Sequence, residues 1–124
     1  MRKVSRKGLI KKCDALWGKI VHLKNYCEVC GSGKTLQALH FFSKKGHPVT
    51  RHDISNGILL CYYCHMIRIH QLGDPEVIQK IIEKRGEEWY NKLRPKAHET
   101  KKLDYNDILN KLGEEYEREV SKNK

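Results

Sequence analysis

The chain has 124 residues, 39% hydrophobic and 32% charged, with a net charge of +10. That length supports one domain with a modest core. No apolar run is long enough to span a membrane, and the basic N-terminus does not lead into a signal-peptide core, so an intracellular, cytoplasmic protein is expected. The charge is one-sided: residues 1–52 carry twelve Lys/Arg and two acids, and residues 53–124 carry thirteen of each. A one-sided basic field suits a polyanion, with nucleic acid foremost. Solubility alone is the plainer alternative.

In chain order, apolar spacing predicts a helix over residues 8–24, with Lys11, Lys12, Lys19 and Lys24 on its polar side and Cys13 on its apolar side. Cys27 and Cys30 then form a CxxC knuckle, followed by Gly31 and Gly33. Thr35 to Phe42 reads as a strand, with Leu39 and Phe41 on one face and His40 and Phe42 on the other. Residues 43–53 form a polar loop long enough to suggest function. Ile58–Leu60 is a second strand that delivers the second knuckle, Cys61 and Cys64. A helix follows to about Leu72 and stops at Gly73. Asp74 and Pro75 start another, which ends at Gly86. A short helix spans Glu87–Leu93, and residues 95–102 read as a linker. Asp104 caps a last helix of mixed charge, either solvent-facing or partner-facing.

The two knuckles, with residues 31–60 between them, have the spacing of a four-thiolate site. Each supplies one edge of a tetrahedron, and Zn²⁺ is the natural occupant of such a closed, structural centre. An iron–sulfur cluster or two disulfides are the alternatives. In a reducing compartment, paired CxxC motifs read as metal ligands before disulfides.

Between and just beyond the knuckles, Leu39-His40-Phe41, Asn56 and Cys61-x2-Cys64-His65 resemble the HNH endonuclease family over about residues 27–72. Leu16-Trp17 and Ile20-Val21 ahead of the core, and Gly86 to Trp89 behind it, look most like the phage NinG-type recombination branch. The resemblance implies an α+β fold: a small two-strand-plus-helix (ββα-metal) core with a four-cysteine zinc site, flanked by N- and C-terminal helices. One compact domain would comprise a basic helix (1–26), the nuclease core (27–73) and a helical extension (74–124).

The resemblance also implies metal-dependent hydrolysis of DNA, in phage recombination or DNA processing within a bacterial host. His40 would be the general base, Asn56 the residue bracing the loop, and His65 the ligand of a catalytic Mg²⁺ or Mn²⁺. Most such sites place a second ligand just before the base, where this chain has Leu39. His70, Asp53, His52 and His47 are the candidates to replace it. His70 lies five residues past His65, which is out of line on an α-helix. Lys44, Lys45, Arg51 and Arg68 are candidate phosphate contacts, with solvated charge as the alternative. Asn56-Gly57 also reads as a plain turn, and His65 as a spare polar residue or surrogate zinc ligand. The rival functions are a non-catalytic nucleic-acid-binding zinc module on the same scaffold, and an adaptor docking through the last helix. The oligomeric state stays open.

Overall fold

A computed structural model describes residues 5–122. The basic lead-in at residues 1–4 therefore lies outside the described residues. Helix α1 spans Arg6–His22, and Ser5 starts it by accepting the Gly8 amide at 3.0 Å, serving one of the amides that a helix start leaves without a partner. Cys13, Trp17, Ile20 and Val21 are buried, while Lys11, Lys12 and Lys19 stay exposed.

Strands β1 (Leu36–His40) and β2 (Gly57–Cys61) pair antiparallel, with Leu36 opposite Cys61 and His40 opposite Gly57. Asp53 caps a 3-10 turn over Ile54–Asn56 that leads into β2. Three further α-helices follow among the described residues: α2 (Pro75–Arg85), α3 (Glu87–Ala97) and α4 (Tyr105–Lys122). No described helix is long and apolar enough to cross a membrane.

The hairpin separates two cores. On one face Leu59 packs with Cys13, Trp17, Ile20, Val21, Tyr105 and Leu112, drawn from α1 and α4. On the other, Ile58 and Leu60 pack with Cys27, Cys61, Cys64, Val77 and Ile81. Strand alternation sorts β1 in the same way. Leu39 and Phe41 join the second core, while Ala38 faces α1.

Three local features depart from expectation. The segment Tyr63–Gln71 winds as a π-helix, not an α-helix. Helix α3 continues through Pro95 to Ala97, so the predicted linker is shorter. Pro95 removes a single helical bond, to the carbonyl of Asn91, and Asn91 is exposed, where water can serve that carbonyl. The last helix is neither free nor partner-facing throughout, because its Tyr105 and Leu112 are buried against α1. The predicted stops at Gly73 (φ +60°) and Gly86 (φ +95°) fall where the backbone turns left-handed. Asp74 and Asp104 both cap as expected, accepting the amides of Glu76 and Asn106 at 2.9 and 3.0 Å.

Gly57 does more than turn the chain. A Cβ there would overlap Val21 Cγ2 and lie 3.1 Å from Trp17 Cζ2 and 3.3 Å from the Ile54 carbonyl. Both side chains are buried and cannot retreat. Gly57→Ala should therefore cost about 1–3 kcal/mol, the usual penalty for overpacking, and a thermal melt should register it as a drop in Tm.

Candidate metal centre and histidine clusters

The four knuckle sulfurs, from Cys27, Cys30, Cys61 and Cys64, lie within 4.8 Å of one another. A tetrahedral ion with sulfurs at 2.3 Å separates them by about 3.8 Å, and the Cys30 and Cys61 sulfurs stand 3.6 Å apart. No disulfide joins the cysteines in the structure, and 3.6 Å between the Cys30 and Cys61 sulfurs is well beyond an S–S bond. The four can hold a metal ion such as zinc.

Each knuckle folds back on its first sulfur. The Cys30 amide points at Cys27 Sγ and the Cys64 amide at Cys61 Sγ, both at 3.5 Å. Burial disfavours the Cys27 thiolate, but amides of Cys30, Cys61 and Val29 outweigh it and bring the thiol down to about 7. Burial pushes Cys64 up.

Glu28, inside the first knuckle, ties this centre to the sheet. Its amide donates to the Leu59 carbonyl at 2.9 Å, and its Oε2 accepts the Leu59 amide at 2.9 Å. Arg85 grips both Glu28 oxygens at 2.8 Å and also donates to the carbonyls of Ser55 and Gly57. Burial alone would raise the Glu28 carboxyl, but Arg85 and Lys24 hold it below its ordinary value. Sequence reasoning missed this pair. An acid placed between two metal-ligand cysteines was the available signal.

Asn56 is fully buried. Its Oδ1 accepts the Phe42 amide at 2.8 Å, and its Nδ2 donates to the carbonyls of Phe42 and Thr50 at 3.0 and 3.1 Å. One side chain thus closes both ends of the 43–53 loop. His40 ends β1 and faces α1, stacked on the Trp17 ring at 3.9 Å and 8°. Its Nε2 lies 3.0 Å from the Arg51 carbonyl. A carbonyl only accepts, so Nε2 carries the proton and Nδ1 carries a bare lone pair. Nδ1 has no hydrogen-bond partner among the described residues. Burial holds the His40 pKa below its ordinary value, against the opposing pull of the Arg51 carbonyl and Asp14.

His65 belongs to a different cluster. Its Nδ1 donates to Gln37 Oε1 at 2.7 Å, and its Nε2 stands 3.1 Å from His70 Nε2. The π winding makes this contact, since its bonds join residues five apart and bring them onto one face. His70 is therefore in line with His65, contrary to the α-helical expectation. Two imidazole nitrogens bound to one ion at 2.0–2.1 Å, at near-right angles, lie about 3 Å apart. The 3.1 Å separation is that of a histidine–histidine hydrogen bond as well as of two ligands of one ion. Gln37, also missed from sequence, fixes the His65 ring in the way an outer-shell partner orients a ligand.

The structure distributes His40, Asn56 and His65, expected to form one constellation, over separate sets of contacts. Gln37 and His40 are three residues apart on β1, so they lie on opposite faces of the hairpin. His40 groups with Trp17, Asp14, Arg51 and His52, while His65 groups with Gln37 and His70. Of the proposed substitutes for Leu39, only His70 stands beside His65. Asp53 caps the 3-10 turn, His52 bonds Asp14 at 2.7 Å, and His47 contacts the Ser43 carbonyl.

Two candidate phosphate contacts are also engaged elsewhere. Arg51 forms a bidentate pair with Asp14, at 2.9 and 2.7 Å. Arg68 pairs with Asp74 at 2.9 and 3.1 Å. Lys44 and Lys45 remain exposed on the loop. Comparison of the chain with protein-family models, with curated proteins and with solved structures finds no match.

Proposed function

We propose that this chain is a metal-dependent nuclease of the HNH type, hydrolysing phosphodiester bonds in DNA, and that zinc fills the four-thiolate centre in a purely structural role. The observation that carries the reading is the state of His40: Nε2 spent on a carbonyl, Nδ1 without a hydrogen-bond partner among the described residues. In this role Nδ1 takes the proton from the attacking water. Asn56 keeps the loop closed, so that the Arg51 carbonyl stays where His40 needs it. His65 and His70 would hold the catalytic divalent ion, with Gln37 orienting His65. Bound there, Mg²⁺ or Mn²⁺ would supply positive charge toward a phosphate backbone. Lys44 and Lys45 meet the backbone. Among the described residues the outer edge of β1 carries no partner strand. Phage recombination or DNA processing is the setting that the resemblance favours.

The test is cleavage of plasmid and branched DNA with Mg²⁺ or Mn²⁺, comparing wild type with His65→Ala. Cutting by the wild type, with a raised metal requirement in the variant, is expected. Cutting unaffected by His65→Ala would remove the metal assignment.

The separation of His40 from His65 favours a second reading, a nucleic-acid-binding zinc module that does not cut. Salt-sensitive binding with no cleavage under any divalent ion would establish it.

A base must be unprotonated to act. The depressed His40 pKa means that protonation, and with it loss of activity, sets in only below the ordinary histidine value of 6.5. The acid limb of kcat/KM should accordingly have its midpoint under 6.5 and be flat above it.

A further inference from the structure

The N-terminal helix does more than pack. We propose that Asp14 and Trp17 of α1 are positioning residues for His40, holding its ring and its tautomer through the Arg51 backbone and through stacking. This rests on the reading of His40 as the base.

His40 has two restraints. One is the Trp17 ring, parallel at 3.9 Å. The other is the Arg51 carbonyl at 3.0 Å, which selects the Nε2–H tautomer. Each restraint is itself anchored. Trp17 is buried, and its Nε1 donates to the Asp53 carbonyl at 2.9 Å. Arg51 is clamped by Asp14 through a two-point fork, and the adjacent His52 donates Nε2 to the same carboxylate at 2.7 Å. Asp14 thus grips two successive loop residues, Arg51 and His52, and fixes the peptide between them, whose carbonyl holds His40. A fork of this kind sets orientation as well as charge.

A carboxylate placed only for surface solubility would not need three charge-assisted donors from one loop. A tryptophan placed only for core packing would not need to lie flat on a half-exposed histidine. Among the described residues, the buried polar atom left without a partner is His52 Nδ1. This marks the same cluster as one whose hydrogen bonding is arranged around Asp14 and not around its own saturation. The charged and titratable groups acting on His40 are Asp14 from α1 and Lys44 and His52 from the loop.

The experiment is long-range ¹⁵N NMR of the histidine rings in full-length wild type, Asp14→Asn, Asp14→Glu and Trp17→Phe, above pH 7.5. Wild type should show His40 protonated at Nε2 and bare at Nδ1. Asp14→Asn, nearly isosteric and only partly buried, should keep the fold by circular dichroism but give a mixture of His40 tautomers. Asp14→Glu and Trp17→Phe should recover most of the wild-type pattern, since they keep the charge and the stacking. On DNA, kcat for Asp14→Asn should fall roughly tenfold or more with KM unchanged, as for loss of an orienting partner. A folded Asp14→Asn protein with the wild-type His40 pattern overturns the proposal. So does a wild type protonated at Nδ1. Should the wild type cut no nucleic acid, the tautomer measurement still decides the positioning role, while the nuclease reading fails separately.

Discussion

Stripping metal from the four-thiolate centre should abolish the cooperative unfolding transition of this protein, and Cys61→Ser should do the same. The reason lies in where the sulfurs sit. Cys27, Cys61 and Cys64 are core residues, packed with Ile58, Leu60, Val77 and Ile81. Structural zinc sites contribute about 10–16 kcal/mol of apparent binding free energy in small domains. That matches or exceeds the whole stability of a typical domain, about 5–15 kcal/mol. Without an ion, three buried thiols must either stay neutral with weak partners or draw water into the core.

The loss should be uneven. The core between α1 and α4, built on Cys13, Trp17, Leu59, Tyr105 and Leu112, contains no ligand. Helical circular dichroism should therefore persist in part while the thermal transition broadens and disappears. Metal analysis should give one ion per chain before chelation. A sharp melt at an unchanged Tm after chelation, with no bound metal at the start, would remove the centre from any structural account.

The knuckles could be read from sequence because ligand chemistry fixes their spacing: two thiolates on one tight turn need CxxC. The caps at Asp74 and Asp104 and the stop at Gly86 could be read for a similar reason, each being a local match between one residue and the adjacent backbone. The π winding of Tyr63–Gln71 could not. It changes which carbonyl each amide meets without a compositional mark, so an α-helical reading puts His70 out of line with His65. The partner of Arg51 was hidden in a different way. Asp14 stands 37 positions before Arg51, and a long guanidinium can reach any acid that the fold brings near. Strand alternation placed His40 opposite Leu39 correctly. It could not say on which face the helix after Cys64 would land, and that placement divides the histidines into two clusters.

Replacing His40 with alanine should lower cleavage by about 10²–10⁴, the usual contribution of a positioned general base, which is about 3–5 kcal/mol of activation free energy. KM should barely move, because no phosphate contact is lost. The alanine also leaves a gap against Trp17, so His40→Phe is the sharper variant: the aromatic stack survives while the lone pair at Nδ1 does not. Both should be equally inactive, and His40→Phe should melt closer to wild type. Added imidazole should restore part of the rate in His40→Ala, where there is space for it, and none in His40→Phe. His65→Ala should differ in kind, with a rate that recovers as divalent metal is raised. Full activity in His40→Phe would assign the base elsewhere. Within this fold the next histidine is His52, which is buried and committed through Nε2 to Asp14, so it could serve only if the loop opened. On the nuclease reading proposed above, that contrast between an imidazole with an unpartnered nitrogen and one bonded to Asp14 makes His40 the residue whose replacement decides the base.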